Sequence, residues 1–263
     1  PSSVTICDLN GDGKPDMAAT NYNINSVSVF LNTTTPGAAT PTFGAVSFYT
    51  TGTAPSSVSI CELNGDGKPD MATGNETTNN VSVFMNTLTL GVTPATFSAK
   101  TDFTTGIEPA SVSIADFNGD GKKDLAVLIQ GTNLGSVFLN TTTPGASTPT
   151  YSAGTDFATE DGPQDLTIGD LNGDGKPDMA FTNVIANAVS VYFNTTTPGA
   201  STPAFSSRTD FATGTGPYSV KIGDLNGDGK PDLVIANYFS NSVSVFFNTT
   251  TPGASTATFS PRT

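Results

Sequence analysis

Large apolar residues alternate with small or polar ones in short runs along the chain. Val58 and Ile60 stand against Ser59 and Cys61, and Val112 and Ile114 against Ser113 and Ala115. A period of two predicts strands rather than helices. Four strands fit the first 54 residues: Ser3–Ile6, Asp16–Thr20, Val27–Leu31 and about Thr42–Tyr49. Turn-forming stretches separate them, among them the Asn-rich residues 21–26 and the segments Thr33–Gly37 and Thr51–Pro55. Because small residues fill the alternate positions, both faces of each sheet are expected to be covered.

The pattern repeats. DLNGDGKPD begins at Asp8 and returns at Glu62 as ELNGDGKPD, at Asp116 as DFNGDGKKD, and unchanged at Asp170 and Asp224, each step being 54 residues. Asn32, Asn86, Asn140, Asn194 and Asn248 keep the same spacing, as do Phe43, Phe97, Tyr151, Phe205 and Phe259. The repeats run over about 1–54, 55–108, 109–162, 163–216 and 217–263, seven residues short of five full periods. Comparison with Asp210–Gly216 places the shortfall where the two ends would meet.

One sheet of this size cannot bury two apolar faces, whereas five arranged radially cover one another. The expectation is an all-β chain, a single β-propeller of five four-stranded antiparallel blades. A parallel β-helix is the competing repeat fold, but its rungs are much shorter. Independent small domains without disulfides would be marginal.

Ten Lys and Arg against 23 Asp and Glu give a net charge of −13, which disfavours nucleic acid and anionic membranes. His is absent, which removes His-assisted triads and His-ligated zinc. No apolar run is long enough to span a bilayer. The chain begins at Pro1 without an initiator Met or signal segment, so a start inside a longer gene product is expected.

The acidic loop has the ligand spacing of a calcium loop, with positions 1, 3, 5, 7 and 9 at Asp8, Asn10, Asp12, Lys14 and Asp16. Alternate residues on a tight turn aim side-chain oxygens inward, and Lys14 would contribute its backbone carbonyl. The later copies place Glu62, Asn64, Asp66, Lys68 and Asp70, then Asp116, Asn118, Asp120, Lys122 and Asp124, in the same roles. Asp170, Asn172, Asp174, Lys176 and Asp178 follow, and Asp224, Asn226, Asp228, Lys230 and Asp232 complete the set. Position 12 departs from the EF-hand, being Ala19, Thr73, Val127, Phe181 and Ile235, so the bidentate role is expected at position 9. Up to five Ca²⁺ would bring the charge from −13 to −3. The alternative is an Asx-turn hairpin whose side chains only cap backbone amides. Glu62, one methylene longer, predicts a weaker or rearranged second site.

These residues, with the apolar strands that follow them and the Asn-Ser-Val-Ser-Val-Phe-Phe-Asn segment ending at Asn248, resemble the FG-GAP and VCBS-type repeats. The chain is similar to the calcium-binding blades of integrin α-subunit propellers and of secreted bacterial surface proteins. The resemblance implies a β-propeller, structural calcium in the loop between the first and second strands, and a secreted or cell-surface location. The family commonly closes with more blades, and its namesake dipeptide survives only at Phe43-Gly44. A five-bladed ring or a piece of a longer array both remain open.

The loops after the second strand vary most, and variation on a fixed scaffold suits recognition. Tyr22 and Tyr238 have the chemistry to stack on sugars, with Asn25, Asn79, Asn133, Asn187 and Asn241 as candidate amide partners. The alternative is that these are exposed turn residues. Glu108, Glu160, Asp161 and Asp165 form a carboxylate group that reads as a solvated rim rather than a glycosidase pair. Cys7 and Cys61, one repeat apart, read as small packing residues rather than a disulfide. Asn32, Asn75, Asn140, Asn194 and Asn248 open N-x-Thr sequons, although Asn86 holds the strand-ending place without one. The functional expectation is a non-catalytic, calcium-stabilised binding or adhesion module with a glycan or surface protein as partner. A lectin using the variable loops and a structural unit of a longer surface protein or filament are the alternatives.

Overall fold

The computed structural model describes residues 1–89 and 95–263. Each repeat forms one antiparallel sheet whose strands neighbour one another in sequence order. The first holds β1 (Val4–Cys7), β2 (Asp16–Asn21), β3 (Ser26–Phe30) and β4 (Ser47–Thr50); the second holds β5 (Pro55–Cys61), β6 (Asp70–Asn75), β7 (Asn80–Phe84) and β8 (Thr101–Thr104). The third consists of β9 (Pro109–Ala115), β10 (Asp124–Ile129), β11 (Leu134–Phe138) and β12 (Thr155–Ala158). The fourth consists of β13 (Pro163–Gly169), β14 (Asp178–Asn183), β15 (Ala188–Tyr192) and β16 (Thr209–Ala212). The fifth has β17 (Pro217–Gly223), β18 (Asp232–Asn237) and β19 (Ser242–Phe246).

Two expectations need correction. The fifth sheet is three-stranded rather than four-stranded, with Thr263 exchanging backbone bonds of 3.1 and 3.2 Å with Val245 where a fourth strand would begin. The fourth strand of the first repeat is also shorter than Thr42–Tyr49. Phe43 makes only an isolated bridge to Asn32, and pairing resumes at Ser47. In the later repeats the hydroxyls of Ser98, Ser206 and Ser260 accept from the amides of Met85, Phe193 and Phe247, each at 3.0 Å. Gly44 holds the equivalent place in the first repeat, where the same break occurs without a hydroxyl, so the serines accompany the break and do not cause it.

Tertiary contacts divide the chain into two compact units. One comprises residues 1–114 and 140–152, and the other residues 115–139 and 153–263. In the first, Val27, Val29 and Leu31 of one repeat pack with Val58, Met71 and Phe84 of the next. Tyr49 lies edge-on to Phe84 and Phe97. In the second, Val189, Val191 and Phe193 pack with Val220, Leu233 and Ile235. The cores therefore lie between consecutive sheets, as expected of repeats that cannot bury their faces alone.

Polar bonds accompany this packing. Ser56 Oγ donates to the carbonyl of Pro109 at 2.9 Å, from the irregularity in register between Pro55 and Ser57. Val112 N–H donates to Ser57 Oγ at 3.0 Å. At the equivalent place Asp165 accepts from Ser219 Oγ and from the amide of Val220. A closed five-membered ring is not shown. Val4, Ile6 and Phe48 on the first sheet and Val243 on the last are open to solvent.

Candidate metal centre in the acidic loops

The carboxylate at position 9 opens the second strand of every repeat, and Asp16, Asp70, Asp124, Asp178 and Asp232 are all fully buried. Burial of a charge requires partners. Asp16 Oδ2 accepts from Leu9 N–H at 2.8 Å and Oδ1 from Asn32 N–H at 2.7 Å. The same pair recurs at Asp70, Asp178 and Asp232, and Asp124 accepts from Phe117 N–H at 2.8 Å. In at least four repeats this side chain thus joins the loop to the exit of the third strand.

Burial pushes Asp70 and Asp178 up to about 7, outweighing the two amides that lower each, while the loop's other carboxylates add like charge. Asp16 is raised by the same cause. Desolvation disfavours the charged form of a buried acid, and it is the leading cause at all three residues.

Positions 1, 3 and 5 organise the turn. Asp8 accepts from the amides of Gly11 and Asp12 through Oδ1 and from Gly13 through Oδ2, Asn10 accepts from Asp12, and Asp12 accepts from Lys14. Gly11 and Gly13 adopt φ of 70° and 82°, a conformation that glycine reaches without strain. At position 7, Lys176 and Lys230 direct their ammonium groups to the carbonyls of Thr196 and Thr250. A lysine side chain has no acceptor, so its backbone carbonyl is the only oxygen it offers.

Among the described residues no group of three carboxylate, thiol or imidazole side chains is gathered into a metal-holding cluster. The side chains instead cap backbone amides. A carboxylate has about four lone-pair sites, so one that accepts two or three amides keeps acceptor capacity. The donor set, carboxylates, one amide oxygen and one carbonyl, consists entirely of hard oxygens and so suits a hard cation.

The second loop differs from the others. Glu62 gathers the amides of Asn64, Gly65 and Asp66 on one oxygen, Oε1, whereas Asp8 divides its amides between two.

The first four loops are also held by the repeat that follows each of them. Asn86 Nδ2 donates to Leu9 O, Asn140 to Leu63 O, Asn194 to Phe117 O and Asn248 to Leu171 O. Gly145, Gly199 and Gly253 donate their amides to the carbonyls of Asn64, Asn118 and Asn172. The amide side chains of those three Asn residues return bonds to Ala146, Ala200 and Ala254. The exact 54-residue recurrence of Asn86 and its equivalents was the sequence signal for this clamp, although as a strand terminator alone it explained only half of the side chain's work. In the second unit a cavity of about 430 Å³ opens beside the third and fourth loops, bordered by Asp116, Asn118, Lys123, Asp170 and Lys176.

The FG-GAP-like repeat model matches residues 8–73, 62–127 and 170–235, and the FG-GAP repeat model matches residues 216–256. The chain belongs to the FG-GAP-like repeat family. No curated protein matches it. Among solved structures it is similar to BBS1N in complex with ARL6DN, soaked with mercury, at 12% identity over 98% of this chain and 82% of that one, with a TM-score of 0.48. It is also similar to the V. cholerae biofilm matrix protein Bap1, at 16% identity over 92% of this chain and 36% of that one, with a TM-score of 0.44.

The variable loops of this FG-GAP-like chain are built on the candidate Asn residues. Asn25, Asn79, Asn133, Asn187 and Asn241 all take left-handed φ between 48° and 55°. The amide oxygens of the first four accept from the backbone of Ala54, Glu108, Gly162 and Gly216. Tyr22 donates its hydroxyl to Glu76 at 2.7 Å. Tyr238 is exposed and lies against Tyr218 and Phe239.

Three of the four candidate rim carboxylates hold different side-chain partners, while Glu108 bonds through its backbone N–H to Asn79. Glu160 pairs with Arg208, Asp161 accepts from Asn133, and Asp165 pairs with Lys221. Cys7 and Cys61 form no disulfide, and burial, then Asp8, pushes the Cys7 thiol up. Among the described residues no helix is long and apolar enough to cross a membrane.

Proposed function

We propose that this FG-GAP-like chain is a non-catalytic binding or adhesion module, secreted or displayed at a cell surface, whose sheets are the blades of a β-propeller stabilised by calcium. The observation that carries the reading is the fivefold recurrence of one all-oxygen loop around a fully buried carboxylate. Fifteen of the 23 carboxylates lie in these loops. In each loop the residues at positions 1, 3, 5 and 9 would hold the ion with side-chain oxygens and the Lys at position 7 with its carbonyl. Bound calcium would set positive charge beside the buried acid and would fix the turn against its own repulsion.

The binding role follows from the scaffold and from the family resemblance. Asn25, Asn79, Asn133 and Asn187 are committed to holding the loops, so recognition by that end of the molecule falls to exposed side chains such as Tyr238 and Phe239 rather than to the Asn amides.

Thermal melting with and without a calcium chelator tests the metal. Ligand at a hundred times its dissociation constant adds about 2.7 kcal/mol for each independent site, so chelation is expected to lower the Tm sharply. An unchanged melt, after metal analysis has verified stripping, refutes calcium stabilisation.

A further inference from the structure

Every acidic loop carries an Asn-Gly dipeptide at positions 3 and 4, beginning at Asn10, Asn64, Asn118, Asn172 and Asn226. Asparagine before glycine is chemically labile, because no side chain shields the glycine nitrogen. That nitrogen attacks the asparagine Cγ: a C–N bond forms, the nitrogen's proton passes to solvent, and the side-chain nitrogen leaves as ammonia. Water then opens the five-membered imide at one of its carbonyls, giving aspartate or isoaspartate. The side chain must swing its Cγ onto the glycine nitrogen, and the Asn-Gly peptide must turn to meet it.

In the second, third and fourth loops the repeat that follows restrains both movements. Asn118 Nδ2 donates to Ala200 O at 3.0 Å and to Asp120 Oδ2 at 3.3 Å, and its Oδ1 accepts from Asp120 N–H at 3.2 Å. The peptide that carries the attacking nitrogen is held through its carbonyl, Asn118 O, which accepts from Gly199 N–H at 2.7 Å. The peptide before it is held through Phe117 O by Asn194 Nδ2. Asn172 is restrained in the same way by Ala254 O, Asp174 N–H, Gly253 N–H and, through Leu171 O, Asn248. Asn64 has Ala146 O, Asp66 N–H, Gly145 N–H and, through Leu63 O, Asn140. Asn64, Asn118 and Asn172 are each only 5% exposed. The amide under attack and the peptide that attacks it are thus tied to one and the same turn.

The product would undo that tie. An asparagine amide donates, whereas an aspartate in its place only accepts. With a carboxylate at position 118, Ala200 O would face an acceptor, and the third loop would hold four carboxylates in place of Asp116, Asp120 and Asp124 alone. Isoaspartate also lengthens the backbone by a methylene, inside a turn where Gly119 and Gly121 take φ of 64° and 87°.

We propose that Asn64, Asn118 and Asn172 are deamidation sites whose rate is set by the turn of the following repeat, so that opening one junction between repeats commits one loop to irreversible conversion. Junctions open locally and separately, so each site has its own guard: Asn140 for Asn64, Asn194 for Asn118 and Asn248 for Asn172. This inference rests on the bonds between repeats and not on the metal reading, and calcium is held constant in its test.

Peptide mass spectrometry of the full chain, incubated at mildly alkaline pH and sampled over time, decides the matter. Denatured wild type, folded wild type, Asn194→Ala and Asn248→Ala are compared. The readout is the replacement of NH2 by OH in each Asn-Gly peptide, with isoaspartate resolved by its elution, and circular dichroism verifies the fold. Denatured protein is expected to convert all three sites, and folded wild type far more slowly. Asn194→Ala should accelerate Asn118 by about tenfold, because losing one buried bond raises the open population of that junction. Asn64 and Asn172 should keep their wild-type rates in that variant. Asn248→Ala should accelerate Asn172 alone, and carries the test if the first variant does not fold. Folded wild type converting as fast as denatured protein, or folded variants converting no faster than wild type, overturns the proposal. So does an acceleration shared equally by the three sites, which general destabilisation would produce.

Discussion

Asn194 Nδ2 donates to the carbonyl of Phe117 at 2.9 Å, so the residue that ends a third strand holds the acidic loop of the preceding repeat. Its Oδ1 at the same time accepts from Thr196 N–H at 2.9 Å. One side chain therefore joins its own turn, its neighbour's loop and, through its backbone N–H, the buried Asp178. The loop geometry is consequently a property of two consecutive repeats rather than of one hairpin.

Asn194→Ala leaves a buried carbonyl and a turn amide without partners, which is expected to cost about 3 kcal/mol in denaturant unfolding. Asn32→Ala is the control, because among the described residues the Asn32 side chain bonds within its own repeat, to Pro15 O and Thr34 N–H, in an exposed setting. Its loss should be about 1 kcal/mol or less. Equal losses for the two variants would show that the cross-repeat bond contributes nothing.

Gly135 occupies a place where the other repeats carry Val27, Val81, Val189 and Val243, so a consensus argument recommends valine there. The structure gives the opposite answer. A Cβ on Gly135 would lie 2.5 Å from the Phe181 ring, which fills the space where other repeats place Ala19, Thr73, Val127 or Ile235. Gly135→Val is expected to destabilise by about 2 kcal/mol through overpacking. Adding Phe181→Ile should recover most of that loss, and a double-mutant cycle without coupling would refute the pairing.

This pair marks where the sequence stops being legible. The 54-residue period, the strand order and the all-oxygen loops could be read because each is written five times in identical register. The Asn clamp could not, since recurrence identifies equivalent residues without saying which repeat they touch. The break before the fourth strand was hidden as well, because Phe43-Gly44 and Phe97-Ser98 continue an unbroken run of strand-compatible residues. The backbone role of the Asn residues in the variable loops was not legible either. Their left-handed φ and their bonds to the following connection build the turn.

Glu108 adopts φ of 59° at a position where the third and fourth repeats carry Gly162 and Gly216 with φ of 73° and 67°. A left-handed conformation costs a side-chain-bearing residue roughly 1–2 kcal/mol. Because the Glu108 side chain is exposed, Glu108→Gly gives up little packing. The variant is expected to be more stable by about 1 kcal/mol, offset in part by the greater freedom of glycine when unfolded. A lower denaturation midpoint would show that the glutamate makes a compensating contribution.

The second acidic loop offers the sharpest test of the metal reading, because it differs from its neighbours by one methylene. Glu62 Oε1 gathers the amides of Asn64, Gly65 and Asp66, whereas Asp8, Asp116, Asp170 and Asp224 use Oδ2 to accept from Gly13, Gly121, Gly175 and Gly229. The longer side chain thus presents its oxygens differently to a turn of the same fold, in which Gly65 and Gly67 keep φ of 75° and 81°. Calorimetric titration of the calcium-free protein is expected to resolve one site weaker than the rest. Glu62→Asp should move that site into the main population while leaving the other four unchanged. Five equivalent sites in the wild-type protein would mean that the amide pattern at position 1 has no influence on affinity, and an unaltered outlier in Glu62→Asp would place its cause elsewhere in the repeat.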